Sequence, residues 1–371
     1  MKKKKKKILI FGMSSTVGGV ENFILNLYEK IDKENIQIDF LVSNNLEGTY
    51  REKLIDKYHA KVHIVPSIKK NPFRCIKMIK KIALTENYDV VHVNLCSALL
   101  FSYILILKKY SNKNLKVITH SHSSGESNKI RKALHYLFKP FLIKNTNVFI
   151  ACSKLAGKWM YGKKISNSSR LIIVKNAIDV DKFSYDDNKR LAFRRKNNYE
   201  ENDFIIGHIG RFEEVKNHKF IIEMFHKYHA NNKNSKLLLV GDGSLKSEIK
   251  SLVHSLNLDS SVNILDVSSN VDSIYQALDV FILPSLFEGL PTVGIEAQAA
   301  DLPCVFSNNI TIEADITGNV KFLPLDINEW VNCIDEISFM KKGRKKIKNK
   351  IIKSGYDLNT EILKIAKLYE D

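Results

Sequence analysis

Val280-Phe281-Ile282-Leu283-Pro284-Ser285-Leu286-Phe287-Glu288-Gly289-Leu290-Pro291-Thr292-Val293-Gly294-Ile295-Glu296 is the most informative stretch of the chain. Val280–Leu283 is short and wholly apolar, which fits a strand covered on both faces. A Gly-Leu-Pro turn follows, and Pro291 suits the first turn of a helix. Glu288 then leaves a strand end, while Glu296 lies about one and a half turns into the helix. Strand, polar loop and helix in this order form half of a βαβ unit.

The same rhythm runs outward in both directions. Upstream in this half, Phe204–Ile209, Leu237–Val240 and Val262–Leu265 read as strands; downstream, Pro303–Phe306 and Val320–Leu323 do. The first half repeats it with Ile8–Phe11, Ile38–Val42, Lys61–Ile64, Val90–Val93, Val117–Thr119, Val148–Ala151 and Leu171–Val174. Val20, Phe23, Ile24, Leu27 and Ile31 recur at helical spacing, and Asn71-Pro72 supplies a helix cap and first turn. The expected fold is α/β, with two doubly wound domains of parallel strands whose crevices face each other at the strand carboxyl ends. The expected division is 1–180, 181–345 and a helical tail, 346–371, that packs back on the first domain. The polar stretch around 179–202 reads as the connection.

Composition narrows the class. The chain has 371 residues, with 44% apolar and 26% charged, enough for two cores and unlike a disordered chain. Its 58 Lys and Arg against 40 Asp and Glu give a net charge of +18, which favours an anionic partner. Lys2–Lys7 resembles the basic head of a signal peptide, but the apolar run behind it is too short. Ala98–Leu107 is about half the length that spans a bilayer. The expectation is a cytoplasmic protein without signal peptide or transmembrane helix. The five cysteines form no CxxC pair and read as thiols.

Four loops after strands carry candidate chemistry. Gly18-Gly19-Val20-Glu21 opens a helix and lets amides approach an anion, though it lacks the GxGxxG pattern of dinucleotide binders. In Gly210-Arg211-Phe212-Glu213-Glu214-Val215-Lys216-Asn217-His218, Arg211 offers a fork and Lys216 a point charge to one diphosphate. Val240-Gly241-Asp242-Gly243-Ser244 is a permissive turn at the crevice rim, and with no GKS or GKT after it a Walker site is excluded. The opening stretch supplies Glu288, Gly289, Leu290, Pro291, Thr292 and Glu296, with Glu296 placed to accept two hydrogen bonds from a ribose diol. Asp179-Val180-Asp181 imitates a DxD metal site but sits at the domain boundary, and the expectation is no essential metal.

The combination of GGVE, HIGRFEEVKNH, VGDG and FEGLPTVGIEAQAADLP resembles glycosyltransferase family 4, with its GT-B fold, over nearly the whole chain. It is closest to the capsular and exopolysaccharide branch. The resemblance implies a retaining, metal-independent hexosyltransferase that takes a nucleoside diphosphate sugar, UDP-linked most often in this branch. It implies that Arg211 and Lys216 hold the donor diphosphate, Glu296 the ribose, and that Glu288 lies by the donor sugar. A histidine of Thr119-His120-Ser121-His122 would point at that sugar, with His122 favoured over His120. Asp301 stands where glycine is frequent, in a surface turn. The implied acceptor is a lipid-diphosphate-linked saccharide at the inner face of the plasma membrane. Two basic amphipathic stretches, 68–81 and 129–144, offer contact with an anionic membrane surface. The alternatives are a nucleotide-sugar 2-epimerase and a nucleotide-sugar- or nucleic-acid-binding protein; no nucleic-acid signature supports the last, so no nucleic-acid partner is expected.

Overall fold

The computed structural model describes residues 5–13, 19–43, 52–111, 114–126, 128–266, 270–288, 290–340 and 343–370. They divide into two units, Met1–Ala177 with Leu358–Asp371, and Ile178–Asp357.

The first unit contains β1 (Lys6–Phe11), β2 (Ile36–Val42), β3 (Val62–Ile64), β4 (Val90–Leu95), β5 (Lys116–Ser121), β6 (Val148–Ala151) and β7 (Leu171–Ile173). They form one sheet in the order β3-β2-β1-β4-β5-β6-β7, every pairing parallel. The second unit contains β8 (Phe204–Ile209), β9 (Ser235–Val240), β10 (Val262–Leu265), β11 (Val280–Leu283), β12 (Cys304–Ser307) and β13 (Val320–Leu323), ordered β10-β9-β8-β11-β12-β13 and again parallel. Each sheet reverses its winding once, between β1 and β4 and between β8 and β11. Loops leaving those strand ends diverge to opposite faces and leave a crevice there. Topology alone therefore directs attention to Gly12, Asn94, Gly210–Lys216 and Pro284–Glu288.

Helices cover both faces of each sheet, so each unit has two apolar clusters. In the first, helix Leu358–Glu370 buries Leu358, Ile362, Ile365 and Tyr369 beside Ile8, Ile10 and Phe40. Its buried Glu361 accepts from Lys175 N at 2.9 Å, and Tyr369 meets His92 Nδ1 at 2.6 Å.

Two expected boundaries move. The tail does not depart at 346: helix Lys348–Lys353 belongs to the second unit, and the chain crosses at 357–358. The stretch around 179–202 is no linker. It contains helices Val180–Phe183 and Asp187–Lys196 of the second unit. Its polarity misleads because arginines dock it. Arg190 and Arg194 each pair with Asp279 at 2.6 Å, and both donate to the Ala277 carbonyl at 3.1 Å. Pro291 also precedes helix Thr292–Ala299 instead of lying within its first turn. If the segment is integral, replacing Arg190 and Arg194 together by Ala strands the largely buried Asp279 carboxylate and lowers unfolding free energy by about 3–5 kcal/mol. A denaturant titration followed in the second unit measures this, whereas a linker residue would leave it unchanged.

Candidate functional site

In the second unit, the loop after β9 lies directly on the loop after β8. Phe212 N donates to Asp242 O, and Leu245 N to Phe212 O, both at 3.0 Å. A Cβ on Gly241 would fall 2.0 Å from the Gly210 carbonyl oxygen, and one on Gly243 would fall 2.6 Å from that of Phe212. Their φ values of +155° and +153° add to the demand for glycine. These glycines serve loop-on-loop packing, which sets the path of Arg211.

Beyond the short turn Glu214–Lys216, Asn217 adopts a left-handed conformation (φ 58°) and helix His218–Asn231 begins. Lys216 Nζ reaches the Glu288 carboxylate, to which Ser285 Oγ also donates at 3.1 Å. Leu286 N donates to Val215 O at 2.9 Å, and Asn217 Nδ2 to Pro284 O at 3.2 Å. The loops after β8 and β11 are thus tied by one ion pair and two backbone-directed bonds at the point where the sheet reverses. Less than a fifth of either charged side chain is exposed, so water screens the pair weakly. Arg211 is exposed and pairs with Glu213 at 3.0 Å. Behind the loop His218 stacks on Phe212, ring centroids 4.1 Å apart. Burial, and then Lys216, push its pKa down to about 4, leaving a neutral imidazole there.

Glu296 projects from helix Thr292–Ala299 and accepts from Tyr275 Oη at 2.7 Å. Burial pushes its pKa up to about 7, against the Tyr275 hydrogen bond and the charge of Lys182, which act the other way. Leu290 and Thr292 flank Pro291 at the entry to that helix. Gly289 and Gly18 lie outside the described residues; Gly19 opens helix Gly19–Lys30, whose first turn buries Glu21.

In the first unit, His120 is enclosed within β5, its ring 4.0 Å from that of His122 and stacked 5.5 Å from that of His92. His122 follows the strand end and is half-buried. Its Nε2 lies 2.8 Å from Asn94 Oδ1. Asn94 Nδ2 is committed to Phe11 O at 3.3 Å, so its oxygen must accept and His122 Nε2 must carry the proton. Burial pushes the His122 pKa down to about 4, so the ring is neutral and Nδ1 holds a lone pair. The Asn176 amide oxygen stands 3.3 Å from Nδ1, and that lone pair selects the flipped amide, with NH2 donating.

Two metal-like groupings are occupied by protein partners. Asp179 caps helix Val180–Phe183 by accepting from Lys182 N, and Asp181 pairs with Lys348. Asp39, His63 and Glu86 bring ligand atoms within 4.8 Å of one another, but Tyr88 Oη bridges Asp39 and His63, and Lys61 holds Glu86.

The family described as "Glycosyltransferase Family 4" matches residues 17–182, and "Glycosyl transferases group 1" matches 189–355. The chain belongs to glycosyltransferase family 4. It is 29% identical to a Bacillus subtilis protein provisionally named glycosyltransferase EpsF, over 100% of this chain and 97% of the relative. It is 25% identical to the Escherichia coli UDP-Gal:alpha-D-GlcNAc-diphosphoundecaprenol alpha-1,3-galactosyltransferase, over 98% and 97%. Among solved structures, HepE of Anabaena, crystallised with UDP and glucose, superposes with a TM-score of 0.78 at 16% identity, covering 99% of this chain and 100% of that one. That likeness shows the GT-B fold, two Rossmann-like parallel-sheet domains.

For this family 4 glycosyltransferase, the structure gathers Arg211, Lys216, Gly241, Gly243 and Glu288 around one loop cluster, with Glu296 on the helix that follows Glu288. Sequence reading passed over Asn94, Tyr275 and the part played by Ser285. Asn94 stood beside a recognised strand end, a position where a lone polar residue has meaning, but nothing in the pattern named its partner.

Two substitutions test this geometry. Gly241→Ala destabilises the second unit by about 1–3 kcal/mol and speeds amide exchange across 210–217. Asn94→Asp raises the His122 pKa from about 4, because a carboxylate stabilises imidazolium; an NMR titration of the ring follows it.

Proposed function

We propose that this glycosyltransferase is a retaining, metal-independent enzyme that moves a hexosyl unit from a UDP-linked sugar to a lipid-diphosphate-linked saccharide in surface polysaccharide synthesis. The observation that carries the donor reading is the Lys216–Glu288 pair beside Arg211 at the β8–β11 reversal point. A diphosphate arriving there meets two cations and the start of helix His218–Asn231, whose free amides favour an anion. Lys216 exchanges Glu288 for a phosphate oxygen, and Glu288 is released toward the sugar. Glu296, as carboxylate, accepts from the ribose diol. As the glycosidic bond breaks, negative charge grows on the departing diphosphate, where Arg211 and Lys216 stabilise it in place of a metal ion. The departing phosphate oxygen takes the proton of the acceptor hydroxyl, which attacks from the same face, so configuration is kept. His122, held as the Nε2–H tautomer, is assigned to the donor sugar. The acceptor class is supported by the names of two relatives, the diphosphoundecaprenol galactosyltransferase and a Campylobacter jejuni diphospho-undecaprenol N-acetylgalactosaminyltransferase.

A thermal-shift panel of UDP-, GDP- and ADP-sugars in EDTA tests the donor. UDP-sugars should stabilise the protein selectively, and Glu296→Ala should abolish the shift. No response from a folded protein to any nucleotide sugar would refute the reading. Donor affinity should rise with pH through about 7, as Glu296 ionises, while Glu296→Gln gives a flat and weaker profile. Nucleotide sugars suit this test because their phosphates are diesters and do not titrate in that range. Glu288→Gln removes a carboxylate that competes for Lys216; donor binding should be equal or tighter, while turnover falls about a hundredfold or more.

A further inference from the structure

We propose that Tyr275 is a positioning residue of the donor site, its hydroxyl holding one oxygen of the Glu296 carboxylate so that the other is presented to the nucleotide's ribose. The proposal rests on the donor reading above and adds to it a residue that acts through Glu296.

Tyr275 lies on helix Val271–Ala277 and Glu296 on helix Thr292–Ala299, and the two helices pack together in the second unit. Tyr275 is wholly buried, its ring against those of Phe183 (centroids 5.8 Å apart) and Phe281 (5.7 Å). Arg344 donates to the Tyr275 carbonyl at 3.2 Å, so backbone and ring are both held. Packing here asks only for an aromatic ring, and Phe would supply one. The hydroxyl is the part that packing does not require, and its 2.7 Å bond goes to Glu296 Oε2.

The two oxygens of that carboxylate differ. Oε2 is anchored on Tyr275. Oε1 has no protein partner among the described residues, yet it is not one of the enclosed unpartnered atoms, so it reaches the surface. Glu296 is accordingly half-buried. A carboxylate in such a place needs a hydrogen bond, and a long side chain held in one rotamer beforehand loses less entropy on meeting its ligand. A ribose diol then meets Oε1 and the remaining lone pair of Oε2.

The anchor also bears on ionisation. The charged and titratable groups on elements packed against helix Thr292–Ala299 are Asp181 and Lys182, Asp272 and Tyr275, and Cys304 of β12; β11 brings none. Asp181 is held by Lys348, and Asp272 by Lys182 and Lys189 at 3.8 and 2.8 Å. Burial drives the Tyr275 phenol and the Cys304 thiol well up, so neither ionises near neutrality and Tyr275 donates throughout. Removing that donor disfavours the ionised form of Glu296.

The test is calorimetric titration of UDP-glucose and its 2′-deoxyuridine counterpart into wild type, Tyr275→Phe, Glu296→Gln and the double variant, across the neutral range and above. Tyr275→Phe keeps the ring, and should bind UDP-glucose about tenfold more weakly at pH 7, with a deficit that narrows as pH rises. Its affinity should rise at higher pH than that of the wild type, whose midpoint is about 7. Its preference for the ribonucleotide should fall several-fold. The double variant should bind no worse than Glu296→Gln, because the hydroxyl acts through that carboxylate. A Tyr275→Phe profile that superposes on wild type, or a further loss in the double variant, would overturn this proposal while leaving the donor reading intact. No binding by folded wild type, or full binding by Glu296→Gln, would remove both. Tyrosine labelled with ¹³C at Cζ gives a second reading in the wild type. The Tyr275 resonance should move with the midpoint of the binding profile and stand still in Glu296→Gln. A resonance indifferent to that ionisation contradicts the proposal even where Tyr275→Phe does not fold.

Discussion

The arrangement of the loops at the sheet reversal in the second unit depends on a largely buried ion pair. Lys216 comes from the loop after β8 and Glu288 from the loop after β11, and these strands adjoin where the sheet reverses. Without a ligand the pair satisfies both charges, keeps the loops together and sets Asn217 against the Pro284 carbonyl. Removing one partner leaves a charge that water reaches poorly, a cost well above that of an ordinary surface pair. Under the proposed function, the donor diphosphate opens the same pair, and binding is an exchange of partners at a site already assembled by its own carboxylate.

Backbone contacts support that pair from below. The Gly241–Leu245 loop rests on Gly210–Phe212 with no room for side chains at two positions. His218 and Phe212 stack as an uncharged pair behind the loop, so no imidazolium there repels Lys216. In the first unit the equivalent reversal, between β1 and β4, fixes His122 through Asn94, whose amide is held by the Phe11 carbonyl. Gly12, with φ +104° and a Cβ position 2.1 Å from Asn94 O, lets the two strand ends approach. Both units thus use a glycine-dependent close approach of backbone to aim one polar side chain at a strand end.

Much of this was legible in the residues. Buried parallel strands are short apolar runs, and all thirteen announced themselves, with edges moved by up to two residues; β4 runs on through Asn94 to Leu95, because polar residues at a strand end look like loop. Asp301, read as a turn where glycine is frequent, has φ +53°. The segment 184–202 was misread because its anchors are Arg190 and Arg194, which dock on carbonyls and Asp279 where an apolar stripe would have shown a period. The tail boundary was hidden for a similar reason: Ile347, Ile351 and Ile352 pack in one unit, and Ile362 and Ile365 in the other, with nothing in the pattern to divide them. Tyr275 could not be tied to Glu296 from sequence, since their contact crosses two helices.

The donor site is tested most directly by calorimetric titration of uridine, UMP and UDP into the protein in EDTA, with Lys216→Ala alongside. Most of the affinity should appear with the second phosphate, without added metal, and disappear in Lys216→Ala. UMP and UDP binding alike, or UDP binding only with a divalent cation, would contradict a diphosphate site built on Lys216.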